Sequence, residues 1–424
     1  MTTTDTPAKA RRRLPKWARW TLAVLSVPVL IVVVAATRDA LELASVPDIG
    51  DPFDLDAFIH NFPNDIPKNE NAFYYYDLAW NALLPNRNRP FEGLAQGNDP
   101  PTHWRLADEA LRARCEENRP ALELWRKGTE QDKALHHRLE EVGTQTLLPI
   151  TQELRHCFLT LALLEGSRLE DEGDMAGAWV WYRAALRSSR HSGTNGFLIE
   201  RLVGISIYQK ASERVIVWAA DPRVDATLLR QARADLKTID AMTPHDDNLL
   251  KLEYMITLQS TLDPKEFATI ARQLRQQGAP GPPIYVLGRA VPRMDPREWT
   301  FEARLASGHE AERTRRVLRL FWANHLPQFA KAPHERPEPW SKEPLIFPFD
   351  ETAPAAVANI KPEDLARWHQ SLAVRPFPMN WAPNFLESMR KDASARERLL
   401  EEVEGQLRKR EQGEDRPCSD EHSR

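Results

Sequence analysis

Two short segments have the residue types and spacing that metal or acid–base chemistry requires. Glu153 and His156 are three residues apart, which places a carboxylate and an imidazole on one helix face, as in di-iron helical bundles. Such a centre needs a second pair of this kind and two further inward glutamates, and the sequence offers no second pair in a helical context. We therefore interpret His156 as a histidine at the edge of an apolar helical stripe and predict no metal site.

The second segment contains His136 and His137, each four residues before a glutamate, Glu140 and Glu141. This spacing predicts two charge pairs on a helical or loop surface. It does not match the zinc-protease pattern, in which two histidines four residues apart flank a glutamate. We assign these histidines no metal.

The common catalytic and cofactor motifs do not occur in this sequence. It has no Gly-x-Ser-x-Gly elbow, no phosphate-binding Walker loop and no dinucleotide fingerprint. Only 17 glycines stand against 33 prolines among 424 residues, so glycine-rich ligand loops are disfavoured. The net charge of −4 also disfavours a nucleic-acid partner, which usually meets a basic face. We predict no catalytic residues and no cofactor.

An uncharged, apolar segment near the N-terminus predicts a membrane anchor. Residues 20–37 lie between Arg19 and Arg38 and, as a helix, would span about 27 Å, close to the hydrocarbon thickness of a bilayer. Trp17 and Trp20 stand where interfacial aromatic residues are expected. The lipid bilayer is therefore a predicted partner through residues 20–37.

The charges on either side of this segment predict its orientation. Residues 1–19 are rich in Lys and Arg, whereas residues 38–56 contain one arginine against six acidic residues. By the positive-inside rule the tail 1–19 stays in the cytoplasm and the chain after residue 37 lies on the outer side of the inner membrane. A cleaved signal peptide is the alternative, since Val34 and Ala36 suit a cleavage site.

Helical periodicity and proline-rich interruptions predict an all-α protein with an irregular helical-hairpin domain after the anchor. Nothing alternates like a β-sheet beyond one short segment. Cys115 and Cys157 could pair outside the cytoplasm, although their spacing does not demand it. The predicted divisions are an acidic spacer (38–68), a helical domain (69–277), a Pro/Gly-rich linker (278–299), C-terminal helices (300–412) with a proline-rich loop (331–359), and a disordered tail (413–424).

One hairpin resembles a tetratricopeptide repeat. The pattern requires a glycine where two helices cross, a glycine–acid turn, and small and large residues alternating where the second helix packs on the first. The matching residues are Gly166, Leu169, Gly173, Asp174, Ala178, Tyr182, Ala185 and Leu186. Ala162 replaces the usual aromatic residue of the first helix, and Arg190 replaces the proline that ends the second.

The repeat does not recur 34 residues later, and a single repeat cannot bury its own apolar face. Two interpretations therefore stay open for residues 162–186. One is an ordinary αα-hairpin in an irregular helical domain, and the other is a degenerate α-solenoid with a concave binding surface.

The exported part also resembles a group of uncharacterised membrane-anchored helical proteins of planctomycete bacteria. Three stretches carry the resemblance, residues 71–76, residues 172–179 with Tyr182, and residues 362–368. The resemblance implies a membrane-anchored helical architecture and implies no activity.

From these features we expect an extracytoplasmic scaffold that binds an unknown envelope protein. Trp340 and Trp381, in proline-rich parts of the chain, are candidate anchors for such a partner. The alternative is an all-α envelope hydrolase acting on wall or glycan, whose carboxylates would come from distant positions. A metal-holding bundle is a third possibility.

Overall fold

The structure is a computed structural model. It describes residues 16–83, 102–141, 157–277, 284–286, 289–291, 296–331, 335–342, 345–349, 357, 360–372 and 377–413.

Helices dominate the N-terminal half of the described chain. They are α1 (Lys16–Ser45), α2 (Leu55–Asn61), α3 (Ala72–Ala82), α4 (Glu109–Glu117), α5 (Arg119–Thr129), α6 (Leu159–Glu172), α7 (Met175–His191) and α8 (Leu198–Ala220). Single 3-10 turns lie at Lys68–Glu70, Trp104–Leu106 and Leu139–Glu141.

The C-terminal half is also helical, with two very short antiparallel strand pairs. The helices are α9 (Ala226–Ala241), α10 (Asp246–Gln259), α11 (Pro264–Gln277), α12 (Pro296–Ser307), α13 (His309–Phe329), α14 (Pro362–Ser371) and α15 (Phe377–Gln412). The strands are β1 (Ile284–Val286) with β2 (Arg289–Val291) and β3 (Ser341–Lys342) with β4 (Leu345–Ile346). The all-α prediction is confirmed.

Helix α1 contains the predicted anchor segment 20–37. Among the residues that the structure describes, no helix combines the length and the apolar character needed to cross a membrane. The side chains of residues 16–25 and of Pro28, which include most of the first half of that segment, lie outside the described residues.

The two largest apolar cores among the described residues are joined by the long helix α15. The first core packs α3, α5, α6, α7, α8 and α9 together, and its largest buried side chains include Trp125, Trp179 and Trp218. The second lies among α10, α13, α14 and β4. Helix α15 contributes Phe385 to the second core and Leu399 to the first, so it fastens the two together.

Where α15 passes from one core to the other, a buried carboxylate holds it to α7 and α8. Asp392 accepts hydrogen bonds from Arg190 at 3.1 Å and from Arg201 at 3.2 Å, and all three side chains are at most 2% exposed. Arg396 lies 3.3 Å from the same carboxylate. Burial opposes ionisation of Asp392, but the guanidinium groups outweigh it and its pKa is lowered. With Asp246, which is 3.7 Å from Arg201, these residues form the strap cluster.

Residues 38–68, expected to form an acidic spacer, lie against the body of the protein. Val46 is buried in the second core, and Arg319 of α13 pairs with Asp48 at 2.9 Å and with Asp51 at 3.1 Å. Tyr254 donates a hydrogen bond to Asp51. Asp48 and Asp51 thus find a cationic partner on α13, whereas Asp54, Asp56 and Asp65 stay exposed.

Candidate functional site

The C-terminal end of α1 is bound to the body by a buried group of charges, which we call the anchor cluster. Its members are Asp39 and Glu42 of α1, Arg304 of α12, and Glu310 and Arg313 of α13. Arg313 is fully buried, pairs with Glu42, and contacts Glu310 at 2.5 Å. Asp39 lies 3.6 Å from Arg313 and from Arg304. The last turns of α1 are therefore part of the folded body.

Beside the anchor cluster lies a cleft of about 620 Å³ between α1, α12 and α14. One end is lined by apolar residues of α1, such as Leu30 and Val34, and the other by Arg38 and Arg304. Arg38 is largely exposed and pairs with Glu42 at 2.7 Å. The cleft thus changes from apolar to charged along α1.

Helices α6 and α7 form a hairpin that turns at Gly173 and Asp174. Gly173 adopts a left-handed conformation (φ +89°) that ends α6, and Asp174 then caps α7 by accepting from the Gly177 amide at 2.8 Å. Gly166 lies against the Tyr182 ring so closely that a Cβ there would overlap it. The other matched residues of α7, Ala178, Ala185 and Leu186, are buried, and Leu169 is partly buried.

Three buried polar side chains that bind one another join this hairpin to α8. Tyr182 donates to Glu170 at 2.5 Å, and Arg214 donates to the Tyr182 oxygen at 3.1 Å and also pairs with Glu170. Burial raises the pKa of Glu170, and hydrogen bonds and the Arg214 charge oppose that shift. These contacts fix the crossing of α6, α7 and α8.

A further polar group, the histidine cluster, consists of His136, His137 and Glu200. Their nearest nitrogen and oxygen ligand atoms all lie within 4.8 Å of one another. His136 pairs with Glu200 of α8, and both side chains are shielded from solvent, at 8% and 1% exposure. The second oxygen of Glu200 accepts from the Phe197 amide at 2.8 Å, which orients the carboxylate at the start of α8.

Another glutamate lies next to Glu200. Glu253 of α10 accepts from the Leu198 amide at 2.7 Å, so consecutive amides at the start of α8 bind two different carboxylates. Removal from solvent raises the pKa of Glu253 to about 7, and the negative charge of Glu200 adds to the effect. The site can therefore hold a proton near neutral pH.

The predicted charge pair between His136 and Glu140 is wrong. The chain from Gln131 to Arg138 is not helical, so the spacing to Glu140 does not bring the two side chains together. Glu140 is exposed and lies 3.8 Å from Arg138 instead. His136 contacts Glu200, which is 64 residues away, and no local spacing could have indicated that pairing.

Glu153 and His156, and the side chains of Trp17, Arg19 and Trp20, lie outside the described residues. Cys115 and Cys157 are both buried, and no disulfide joins them.

Comparisons with known proteins give no assignment. No protein-family model, no curated protein and no solved structure matches the chain.

Proposed function

We propose that this protein is a single-pass inner-membrane protein whose helical body lies outside the cytoplasm and serves as a scaffold for an envelope protein. The observation that carries the membrane part is a continuous apolar surface on α1. Six side chains there are between 45% and 63% exposed although the body lies close by: Val27, Val29, Leu30, Val32, Val33 and Val34. An exposed apolar patch of this kind is typical of a surface that contacts lipid or another protein.

The basic tail 1–19 supports a cytoplasmic N-terminus. The anchor cluster supports a second part of the proposal. Because α1 runs unbroken from the apolar segment to Ser45 and is bound there by buried charges, the body would be held at the membrane surface in a fixed orientation.

For the scaffold role we propose that the α6–α7 hairpin is tetratricopeptide-like and that partners bind next to it. The groove between α8 and α15 has a volume of about 460 Å³. Ile216 lines it and its neighbour Val217 is 56% exposed. Three exposed basic residues of α15 line the other side, namely Arg390, Lys391 and Arg398. Glu213 and Glu387 also line the groove, so its three basic side chains exceed its acidic ones by one. This surface fits an acidic segment with an apolar residue.

The test is cross-linking of cells that express the tagged full-length chain, followed by mass spectrometry. A stoichiometric envelope partner is expected, and its recovery should fall in an Arg390→Glu/Arg398→Glu variant. Lys409→Glu, at the exposed end of the same helix, is the matched control and should retain the partner. Recovery of the chain alone with several cross-linkers would contradict the scaffold proposal.

An envelope hydrolase is the second candidate. Glu200 and Glu253 favour it, since they are two neighbouring carboxylates from distant positions, one with a pKa of about 7. Neither glutamate lines the cleft beside α1 or the groove between α8 and α15. This arrangement favours the scaffold.

A further inference from the structure

The histidine cluster brings together donors that suit a transition metal ion. Two imidazoles from one non-helical segment and one carboxylate from α8 place their ligand atoms within 4.8 Å of one another. Imidazole nitrogens with a carboxylate oxygen are ligands that Zn²⁺ and its neighbours in the first transition row accept. The two histidines are adjacent, but Glu200 lies 64 positions after His136, so the fold and not a local turn assembles the cluster.

Aromatic rings hold the two imidazoles in place. The His136 ring stacks on Phe73 of α3 with centroids 4.4 Å apart and planes 8° apart. The His137 ring lies 3.8 Å from that of His136 and 5.5 Å from that of Phe197. Rings fixed by packing in this way lose little freedom when they bind an ion.

The backbone that carries the histidines is also fixed. The side chain of Asn71 bonds both backbone groups of Leu135, accepting from its amide at 3.0 Å and donating to its carbonyl at 2.9 Å. Glu200 is oriented by the Phe197 amide, so one carboxylate oxygen remains directed at the histidines. Partners of this kind behind the ligands orient them as in known metal centres.

We propose that His136, His137 and Glu200 form a binding site for a divalent transition metal ion of the zinc type. With two nitrogens and one oxygen from the protein, a tetrahedral ion would have one position left for water or a fourth ligand. The ion would link the segment 131–141 to α8. The site does not depend on the membrane anchor or on a protein partner.

The test uses the full-length chain purified in detergent through a tag that contains no histidine, then stripped with a chelator. Cys418 and His422 of the tail are replaced by Ser and Ala to remove adventitious ligands. Titration with Co²⁺ should give one equivalent bound, with the intense visible absorption of a four-coordinate ion, and Zn²⁺ should displace it. Zn²⁺ should also raise the thermal unfolding midpoint, whereas Mg²⁺ should not.

His137→Ala and Glu200→Gln should each weaken Zn²⁺ binding by about 100-fold or more, since the loss of a mere outer partner already costs 10–100-fold. His60→Ala and Glu140→Gln, both exposed in the structure, are matched controls and should bind like the parent chain. His137→Ala is the main variant because it leaves the pair between His136 and Glu200 intact. Failure of the parent chain to bind one equivalent, or equal binding by the ligand and control variants, would overturn the proposal. If a variant of a ligand residue does not fold, the parent chain alone provides the test. The absence of a Zn²⁺-dependent rise in its thermal unfolding midpoint would overturn the proposed site.

Discussion

The anchor cluster and the strap cluster both bind a long helix to the body through buried charges. The anchor cluster has an excess of negative charge, and the strap cluster has an excess of positive charge. In the anchor cluster three carboxylates surround two arginines, and the exposed Arg38 supplies the missing positive charge. In the strap cluster three arginines surround two carboxylates, and Asp240, which pairs with Arg396 at 2.7 Å, supplies the missing negative charge.

This difference determines which residue each cluster depends on. Arg313 is the fully buried cation of the anchor cluster, and Asp392 is the carboxylate that all three arginines of the strap cluster approach. An unpaired carboxylate can take up a proton and become neutral, whereas a guanidinium group cannot lose its charge in a protein. The strap cluster should therefore tolerate the loss of its central residue less well.

The largest expected effect is that of Asp392→Asn. Arg190 and Arg201 would remain buried without a carboxylate to pair with, and we expect a loss of about 3–5 kcal/mol in the free energy of unfolding. The measurement is urea unfolding of the full-length chain in detergent, followed by circular dichroism. Glu387→Gln, in an exposed pair with Lys391 on the same helix, is the control and should change stability by about 0.5 kcal/mol or less. Equal effects of the two variants would show that the strap cluster does not hold α15.

Arg313→Met should have the next largest effect, about 3 kcal/mol. Methionine keeps the apolar stem packed, and Glu42 and Glu310 keep Arg38 and Arg304 as cationic partners. The same unfolding measurement applies. A loss larger than that of Asp392→Asn would reverse the comparison between the clusters.

A contact that depends on shape alone serves as a reference for the effects of Asp392→Asn and Arg313→Met on stability. Gly166→Ala would press a methyl group into the Tyr182 ring, and we expect a loss of about 1–3 kcal/mol. Gly405→Ala is the control, because a Cβ there meets no atom within 4 Å and should be neutral or slightly stabilising. Destabilisation by Gly405→Ala but not by Gly166→Ala would contradict the observed hairpin packing.

The smallest expected effect is a loss of folding stability at acid pH that originates in the strap cluster. The folded-state pKa of Asp392 is lowered, so its contribution is complete above the unfolded value of 3.8 and is lost as the pH falls through the folded value. The pKa of Asp246 is raised by burial, so its protonation stabilises the fold in a separate window above 3.8. Unfolding measured from pH 5 to pH 2 should show an acid loss in the parent chain that is smaller in Asp392→Asn. An identical acid slope in both would exclude Asp392 as its source.

The sequence indicates local features of this molecule well. The turn at Gly173 and Asp174 and the contact at Gly166 follow from residue types at fixed spacing, because a left-handed turn and a close helix crossing admit few side chains. Helices α12 and α13 are separated at Gly308, which adopts a left-handed conformation (φ +72°) between them.

Long-range polar pairing could not be predicted from the sequence. In the sequence, Arg190 is a departure from the repeat pattern. In the structure it pairs with Asp392, which is 202 residues away. His136 likewise pairs with Glu200 and not with Glu140. Charged residues have many possible partners in a sequence, and only the packing of the apolar faces decides which of them meet.

The most direct test of the central proposal is a membrane topology measurement on the full-length chain with an N-terminal tag. We predict that the chain stays with carbonate-washed membranes, that its tag is retained, and that protease added outside spheroplasts digests the body while the tag remains protected. Release of the intact chain into the soluble fraction, or a body protected until the cells are lysed, would contradict the proposal. Loss of the tag with an exported body would support the cleaved signal peptide instead.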